Sequence, residues 1–232
     1  MSTFYFEGPI EINKIIHMKD ASETRHAFTS LRKKENEIIE IINGSGEKFQ
    51  AKIVECSSRI FSVLPIEIIE TDVEYDDVQV SIAIAVLNKS SKMKLLIEKL
   101  TEIGIREFIP LITERTSFPK AKTESLQASM ISALKQCGGT KKVEIISQVE
   151  LKEFVGSEEF DEKYFADIDG KILSVDYTEK NSKLLITIGP EGGFTEKEKK
   201  LLIQNNFKPI RLSKRILRAE TAAIVAASRV LN

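Results

Sequence analysis

The sequence predicts an α/β protein with a mostly parallel sheet, preceded by a small β-barrel. Two textures and the break between them carry this expectation. Residues 1 to about 72 read as short extended segments, "FYFEG", "EIIEIIN", "EKFQAKIVE" and "IFSVLPIEIIE", with the turn Asn43-Gly44-Ser45-Gly46 between the second and third. Strands spaced this tightly suit a small barrel, with one helical piece near Ser22 to Lys33. The polar, acidic stretch "TDVEYDD" reads as a linker. Beyond it strands alternate with helices, which is the pattern of a parallel sheet. The expected domains are therefore residues 1–72 and 73–232.

Each element of the second part has a local reason. "VQVSIAIAVL" is nearly continuously apolar, as in strands buried on both faces. Met93, Leu96, Ile97, Leu100 and Ile103 share one face of the next helix, and Gly104 stops it. There follow the strand "EFIPLIT", the helix "ESLQASMISALKQC" closed by Gly138-Gly139, and the strands "KVEIISQV", "KYFADI" and "KLLITIG". A helix from Glu196 to about Gln204, the strand "KPIRL" and a helix from about Thr221 to Leu231 complete the chain. Ligands of such a domain are expected beyond the carboxyl ends of the strands.

Composition narrows the function classes. The chain carries 34 basic and 35 acidic residues, so a polyanion partner requires a local patch. Cys56 and Cys137 have no metal-like or redox-like spacing, and a reduced cytoplasmic compartment is the economical expectation. The N-terminal stretch "MSTFYFEGPI" has no signal-peptide pattern, and "IAIAVL" is too short to span a bilayer. No membrane association and no metal are expected.

Two stretches carry the chemistry. In "ITIGPEGGFTEKE", a strand leaves through Gly189-Pro190-Glu191-Gly192-Gly193 and re-enters a helix, with Thr195 as cap and Glu198 completing a capping box. Such a turn serves either a backbone needing positive φ or a ligand approaching closely. Neither GxxxxGK[ST] nor GxGxxG is present, so a ligand held without a phosphate grip fits better. In "RLSKRILRAETAAIVAASRVL", Arg211, Lys214, Arg215 and Arg218 fall within eight residues, ahead of an alanine-rich helix. These cations are either a solvated face or a polyanion contact beside the glycine turn.

Taken in order, "IGPEGGFTEKE" and "LSKRILRAETAA" strongly resemble the 16S ribosomal RNA (uracil-N3)-methyltransferase family, within the SPOUT superfamily of knotted methyltransferases. "KSSKMKLLIEKLTEIGIREFIPLITERT" matches further upstream through Lys99, Glu102, Glu114 and Arg115, and "RHAFTSLR" through His26, Leu31 and Arg32. The resemblance implies a PUA-like N-terminal barrel that docks RNA. It also implies a C-terminal trefoil knot, an exception to the rule against threaded connections. It further implies S-adenosyl-L-methionine as cofactor, 16S ribosomal RNA of the small subunit as partner, and a homodimer with the cofactor loops against the second subunit.

On that resemblance Ile188, Gly189, Glu191, Gly192 and Gly193 line the cofactor from the glycine turn, and Leu212, Ile216, Leu217 and Ala222 from a second loop. Arg25, His26, Arg32, Lys33, Gln136, Lys141 and Arg215 are the RNA-binding candidates. The chain departs from the family where "MSTFYF" lacks a leading arginine, where Gly46-Glu47 replaces a Gly-Asp pair, and where "QCGGT" keeps Gln136 without the usual arginine. Lys141 or Lys142 is the expected replacement for that last contact.

The chemistry demands more than a cofactor. A neutral uracil N3 has no free lone pair, so an enzyme must remove its proton or stabilise the anion while aiming N3 at the methyl group. Arg218 and Glu220 are the first catalytic candidates, then Glu102 and Arg115; for each, a surface ion pair or helix cap is the plain alternative. N3 lies on the pairing edge, so the base must be unpaired or flipped out. The competing expectations are a related enzyme acting on another base or a ribose 2′-hydroxyl, a non-catalytic RNA-binding assembly factor, and a small-molecule α/β enzyme.

Overall fold

The computed structural model describes residues 2–18, 21–71, 78–117, 120–156, 159–173 and 182–231. The acidic linker expected at residues 71–77 falls almost wholly outside them. The chain divides into two compact units: Met1–Val73 with Leu134–Lys142, and Glu74–Ala133 with Val143–Asn232.

The first unit holds β1 (Thr3–Tyr5), β2 (Ile16–His17), α1 (Ala21–Arg25), a π-helical turn (His26–Ser30), β3 (Ile38–Ile42), β4 (Glu47–Cys56) and β5 (Phe61–Thr71). The strands form one sheet in the order β1-β3-β4-β5-β2, antiparallel except for the β1–β3 pair. Among the described residues no pairing of the edge strands β1 and β2 closes it into a barrel. Its core gathers Phe4, Ile39, Ile41, Phe49, Ala51, Ile53, Phe61 and Val63, the inward set of an alternating pattern. The helix expected to reach Lys33 ends earlier. The π-helical turn closes with Leu31 N–H donating to His26 carbonyl at 2.9 Å, and Arg32 then takes the left-handed region at φ 49°. The segment after the Asn43–Gly46 turn is stitched to 134–142 by Gly46 N–H to Thr140 carbonyl (3.1 Å) and Lys142 N–H to Gly44 carbonyl (3.1 Å).

In the second unit, β6 (Gln79–Ala85), α2 (Ser90–Ile103), β7 (Glu107–Ile112), α3 (Thr123–Cys137), β8 (Glu144–Ile145), β9 (Val149–Glu150), α4 (Leu151–Phe154), β10 (Glu162–Ile172), β11 (Lys183–Ile188), α5 (Glu196–Gln204), β12 (Lys208–Arg211) and α6 (Ala219–Leu231) follow in turn. The last turn of α3 belongs with the first unit. The sheet runs β12-β10-β11-β6-β7-β8, with β9 also on β7, and every pairing in it is parallel.

Alternate residues of the strands feed opposite faces. Val80, Ile82, Ile84, Ile186 and Ile188 join α2, α3 and the alanines of α6, while Ala83, Ile109, Leu111, Leu185 and Phe165 join α4 and α5. Ala219, Ala222, Ala223, Ala226 and Ala227 are the buried stripe of α6, small enough for close approach to α2 and β6. The α2 stop is as expected: Gly104 is left-handed at φ 91° and donates to Leu100 carbonyl.

Three elements differ from expectation. "KVEIISQV" pairs with β7 as two short pieces, Glu144–Ile145 and Val149–Glu150, and between them the Gln148 side chain accepts the Ala121 N–H at 2.7 Å. The final helix begins at Ala219, two residues early, with Ala222 N–H already bonded to Arg218 carbonyl at 2.8 Å. "KYFADI" continues to Ile172 through a bulge: Ala166 and Lys171 both face Ile210, so residues 167–170 loop out of the ladder.

Candidate functional site

The bulged middle of β10, the carboxyl ends of β11 and β12 and the turn after β7 surround a cleft of about 620 Å³ in the second unit. Its volume lies within the roughly 300–1,000 Å³ usual for small-molecule sites. One wall is the glycine turn after β11, which is pinned from three sides. Phe194 is buried in the core and meets Phe165 edge-on at 6.1 Å. Thr195 caps α5 in the expected capping box, its N–H donating to Glu198 Oε2 at 2.8 Å. Arg115, from the turn after β7, donates to the Gly192 carbonyl.

Glu198 does more than cap. It is buried, and its second oxygen accepts the Glu114 N–H at 2.8 Å, tying the β7 turn to the glycine turn. Glu114 thus takes part through its backbone, a link that side-chain reasoning on the sequence missed. Its signal was the capping-box glutamate itself.

The three glycines have separate causes. Gly193 sits at φ 67°, where a side chain is strained. A Cβ on Gly189 would lie 3.2 Å from Phe194, and one on Gly192 would lie 3.3 Å from Arg115 Cδ. Closure of the turn on its own neighbours therefore accounts for bare backbone that the sequence alone attributes to a ligand.

All nine residues expected to line a cofactor meet in this one cleft: Ile188, Gly189, Glu191, Gly192 and Gly193 from the first loop, Leu212, Ile216, Leu217 and Ala222 from the second. Arg115, Arg215 and Arg218 line it too. Glu220 does not, although its neighbours Ala219 and Ala222 do; its carboxylate lies 3.5 Å from Lys92. Glu102 is elsewhere, paired with Lys99 one turn away on an exposed face of α2, the ordinary (i, i+3) surface pair. Arg211 folds back on its own loop, donating to the carbonyls of Ser213 and Lys214.

Sequence reasoning missed Asp167, Ile168 and Lys199, which line the cleft because of the β10 bulge and the exposed face of α5. Asp167 pairs with Lys199 at 2.8 Å, and Lys199 also lies 3.3 Å from Glu196. Burial raises the Asp167 carboxyl, but the Lys199 hydrogen bond and charge, with the Asp169 and Ile168 amides, outweigh it and hold it below the ordinary value. The hydrogen bond to Asp167 raises Lys199 in turn. The "DIDG" turn signal inside a strand pattern was the available clue.

Six of the seven RNA-binding candidates lie in the first unit. Arg25, His26, Arg32, Gln136 and Lys141 are exposed, and His26 also stacks at a tilt on Phe4, 6.1 Å between rings. Lys33 is engaged with Glu37 at 3.0 Å. Gln136 and Lys141 join this unit because the 134–142 segment groups with it, held in part by an ion pair of half-buried Lys135 with buried Glu23. Among the described residues no cluster of His, Cys, Asp and Glu suits a metal, and no helix is long and apolar enough to cross a membrane.

A parallel α/β sheet with a loop-built cleft of small-molecule size, and a separate small β unit, define a two-unit α/β protein with a candidate small-molecule site in its second unit. Residues 74–231 match the RNA methyltransferase domain family and residues 19–64 the RNA methyltransferase PUA domain. The chain belongs to the ribosomal RNA small subunit methyltransferase E family. The Rickettsia conorii protein of that name is 30% identical over 97% of this chain and 93% of its own length. The Buchnera aphidicola protein from Acyrthosiphon pisum is 31% identical over 96% and 89%. A Legionella pneumophila protein solved with bound S-adenosylmethionine superposes with a TM-score of 0.88 at 26% identity, covering 98% of this chain and 96% of that one.

Proposed function

We propose that this protein is an S-adenosylmethionine-dependent methyltransferase of small-subunit ribosomal RNA, and that the atom methylated is N3 of a uridine. The observation that carries the reading is the convergence of nine residues from two separate loops on one cleft of cofactor size. The cleft's chemistry fits the cofactor. Ile188, Phe194, Leu212, Leu217 and Ala222 offer apolar wall for adenosine, and Glu191 offers negative charge to a cationic ligand. Bound there, S-adenosylmethionine supplies a methyl group activated by its sulfonium. Arg115, Arg215 and Arg218 stand along the same cleft, where RNA phosphate or a developing uracilate is held by positive charge. Glu220 flanks the lining residues Ala219 and Ala222 without lining the cleft itself, and is the carboxylate we assign to take the N3 proton when the base is seated; N3 would then gain the methyl as the sulfur–methyl bond breaks, leaving S-adenosylhomocysteine.

The remaining parts of the proposal follow the same reading. Residues 1–72 form the RNA-docking domain and residues 73–232 the catalytic domain, and the protein works in the cytoplasm. The trefoil knot is part of the same reading through the family resemblance; the strand order that goes with it sets β12 beside β10 and not beside β11. A homodimer covering the cleft is supported by Ile216 and Ile168, which line it while 83% and 58% exposed.

The test is to incubate the purified protein with labelled S-adenosylmethionine and small subunits from cells lacking the enzyme, then identify nucleosides by mass spectrometry. A 3-methyluridine product is expected. A label on another base or on ribose refutes the N3 assignment, and cofactor binding without any transfer refutes catalysis.

A further inference from the structure

Lys92, in the first turn of α2, belongs to none of the loops that build the cleft, yet it touches two of the segments that do. Its ammonium lies 3.5 Å from Glu191 Oε1 in the glycine turn and 3.5 Å from Glu220 Oε1 in the first turn of α6. One cation is thus shared by two carboxylates from separate segments. The pair with Glu220 is not a free surface contact: the Glu220 side chain is 12% exposed and that of Lys92 24%. Removing the cation from beside a carboxylate so shielded leaves a charge without compensation, which costs far more than losing an exposed pair.

The second oxygen of the carboxylate completes the picture. Glu220 Oε2 is buried and has no hydrogen-bond partner. A buried carboxylate oxygen that the protein leaves unpaired takes its partner from a water, an ion or a bound molecule. Held through Oε1, Glu220 keeps an unpaired acceptor at Oε2, next to the cleft-lining Ala219 and two residues from Ala222. On the other side, Glu191 sits in a turn whose neighbours Gly192 and Phe194 are already fixed by Arg115 and the core. Lys92 fixes the one remaining charged residue of that turn.

We propose that Lys92 is a positioning residue that orients Glu220 through Oε1, keeping Oε2 free to accept, and latches the glycine turn through Glu191. The Glu220 half rests on the methyltransferase reading; the latch half requires only that the cleft bind the cofactor.

The test uses full-length K92M, which keeps the chain length and removes the charge, and K92R, which keeps the charge. Cofactor affinity is read by calorimetry without RNA, and kcat at saturating cofactor. K92M is expected to weaken cofactor binding about tenfold and to lower kcat about 10- to 100-fold, as a misplaced reacting group does. K92R is expected to recover most of both. The kcat losses of K92M and E220Q are expected not to multiply in the double variant, because the two residues act as one unit. Wild-type affinity and kcat in K92M would overturn the proposal, as would multiplying losses in the double variant. If the wild-type protein binds cofactor but transfers no methyl to RNA, the functional reading fails, and calorimetry of K92M still decides the latch. A wild-type protein that binds no cofactor overturns both.

Discussion

Gly170→Ala is expected to destabilise this protein far more than any other single methyl added at a glycine of the cleft region. A Cβ on Gly170 would lie 2.6 Å from the carbonyl carbon of Ile210, 2.7 Å from its nitrogen and 2.8 Å from its Cα. Carbon atoms in contact ordinarily stand about 3.5–4.0 Å apart. All three obstructing atoms are backbone of β12, so no rotamer change relieves them and the strand must move by roughly 1 Å. Overpacking of this kind costs typically 1–3 kcal/mol, and a backbone obstruction belongs at the upper end, about 3 kcal/mol. For a chain of this size each kcal/mol shifts Tm by roughly 2–4 °C, so a fall of about 6–12 °C is expected.

Two other glycines separate the steric term from the conformational one. Gly193 has φ 67° and nothing within 4 Å of an added Cβ, so Gly193→Ala meets only the left-handed penalty, about 1 kcal/mol or about 2–4 °C. Gly156 has open space and no positive φ, and Gly156→Ala should change stability by no more than about 0.5 kcal/mol. Thermal melts followed by circular dichroism give all three. Because Ile210, Arg211 and Leu212 line the cleft, Gly170→Ala should also weaken cofactor binding in calorimetry. A Gly170→Ala protein melting within about 2 °C of wild type would show that the β10 bulge does not hold β12 as described.

Glu198→Ala removes the acceptor of two backbone N–H bonds at once, and a loss of about 2–4 kcal/mol is expected from chemical denaturation, against about 1 kcal/mol for Thr195→Ala. Asp167→Asn should lower Tm at pH 7 by an amount that shrinks as pH falls. The folded carboxyl lies below its unfolded value near 3.9, so its stabilisation is present above that value and is lost as pH drops through the folded one. At the alkaline end the raised Lys199 keeps its share until pH climbs through its folded value, beyond about 10.4. Arg218→Ala should cut methyl transfer about 100-fold or more while leaving a folded protein, since its side chain is exposed; unchanged turnover would remove it from the catalytic set. Arg25→Ala with Arg32→Ala should weaken RNA binding and reduce its salt slope by up to about 2, measured by filter binding; an unchanged slope would make these residues a solvated face.

Much of the architecture was legible because it rests on local rules. The apolar run at 78–87, the α2 stripe with its Gly104 stop and the Thr195–Glu198 capping box depend on neighbours within a few residues, and each is where the sequence led one to expect it. What was hidden depends on distant partners. "KVEIISQV" has strand composition throughout, but its pairing with β7 is interrupted, and Gln148 in it bonds Ala121, a residue it is not near in sequence. The early end of the N-terminal helix reflects a left-handed Arg32 that propensity does not anticipate. Glu102 carried a plausible motif position, yet its helix turn gave it Lys99 as a partner and an exposed face.

The sequence by itself determined the class of fold and the two textures of the chain, since periodicity, caps and glycine-rich turns are written in short stretches; that two loops share one cleft was implied by the family resemblance those stretches carry. Only the tertiary structure decided which charges meet. Asp167 enters the cleft because a bulge lifts it out of β10, Glu198 joins two loops because its second oxygen finds the Glu114 amide, and Lys92 reaches both Glu191 and Glu220 from a helix outside those loops. The reason is physical: a hydrogen bond or ion pair is fixed by angstroms in space, and chain folding sets those distances between residues that the sequence keeps far apart.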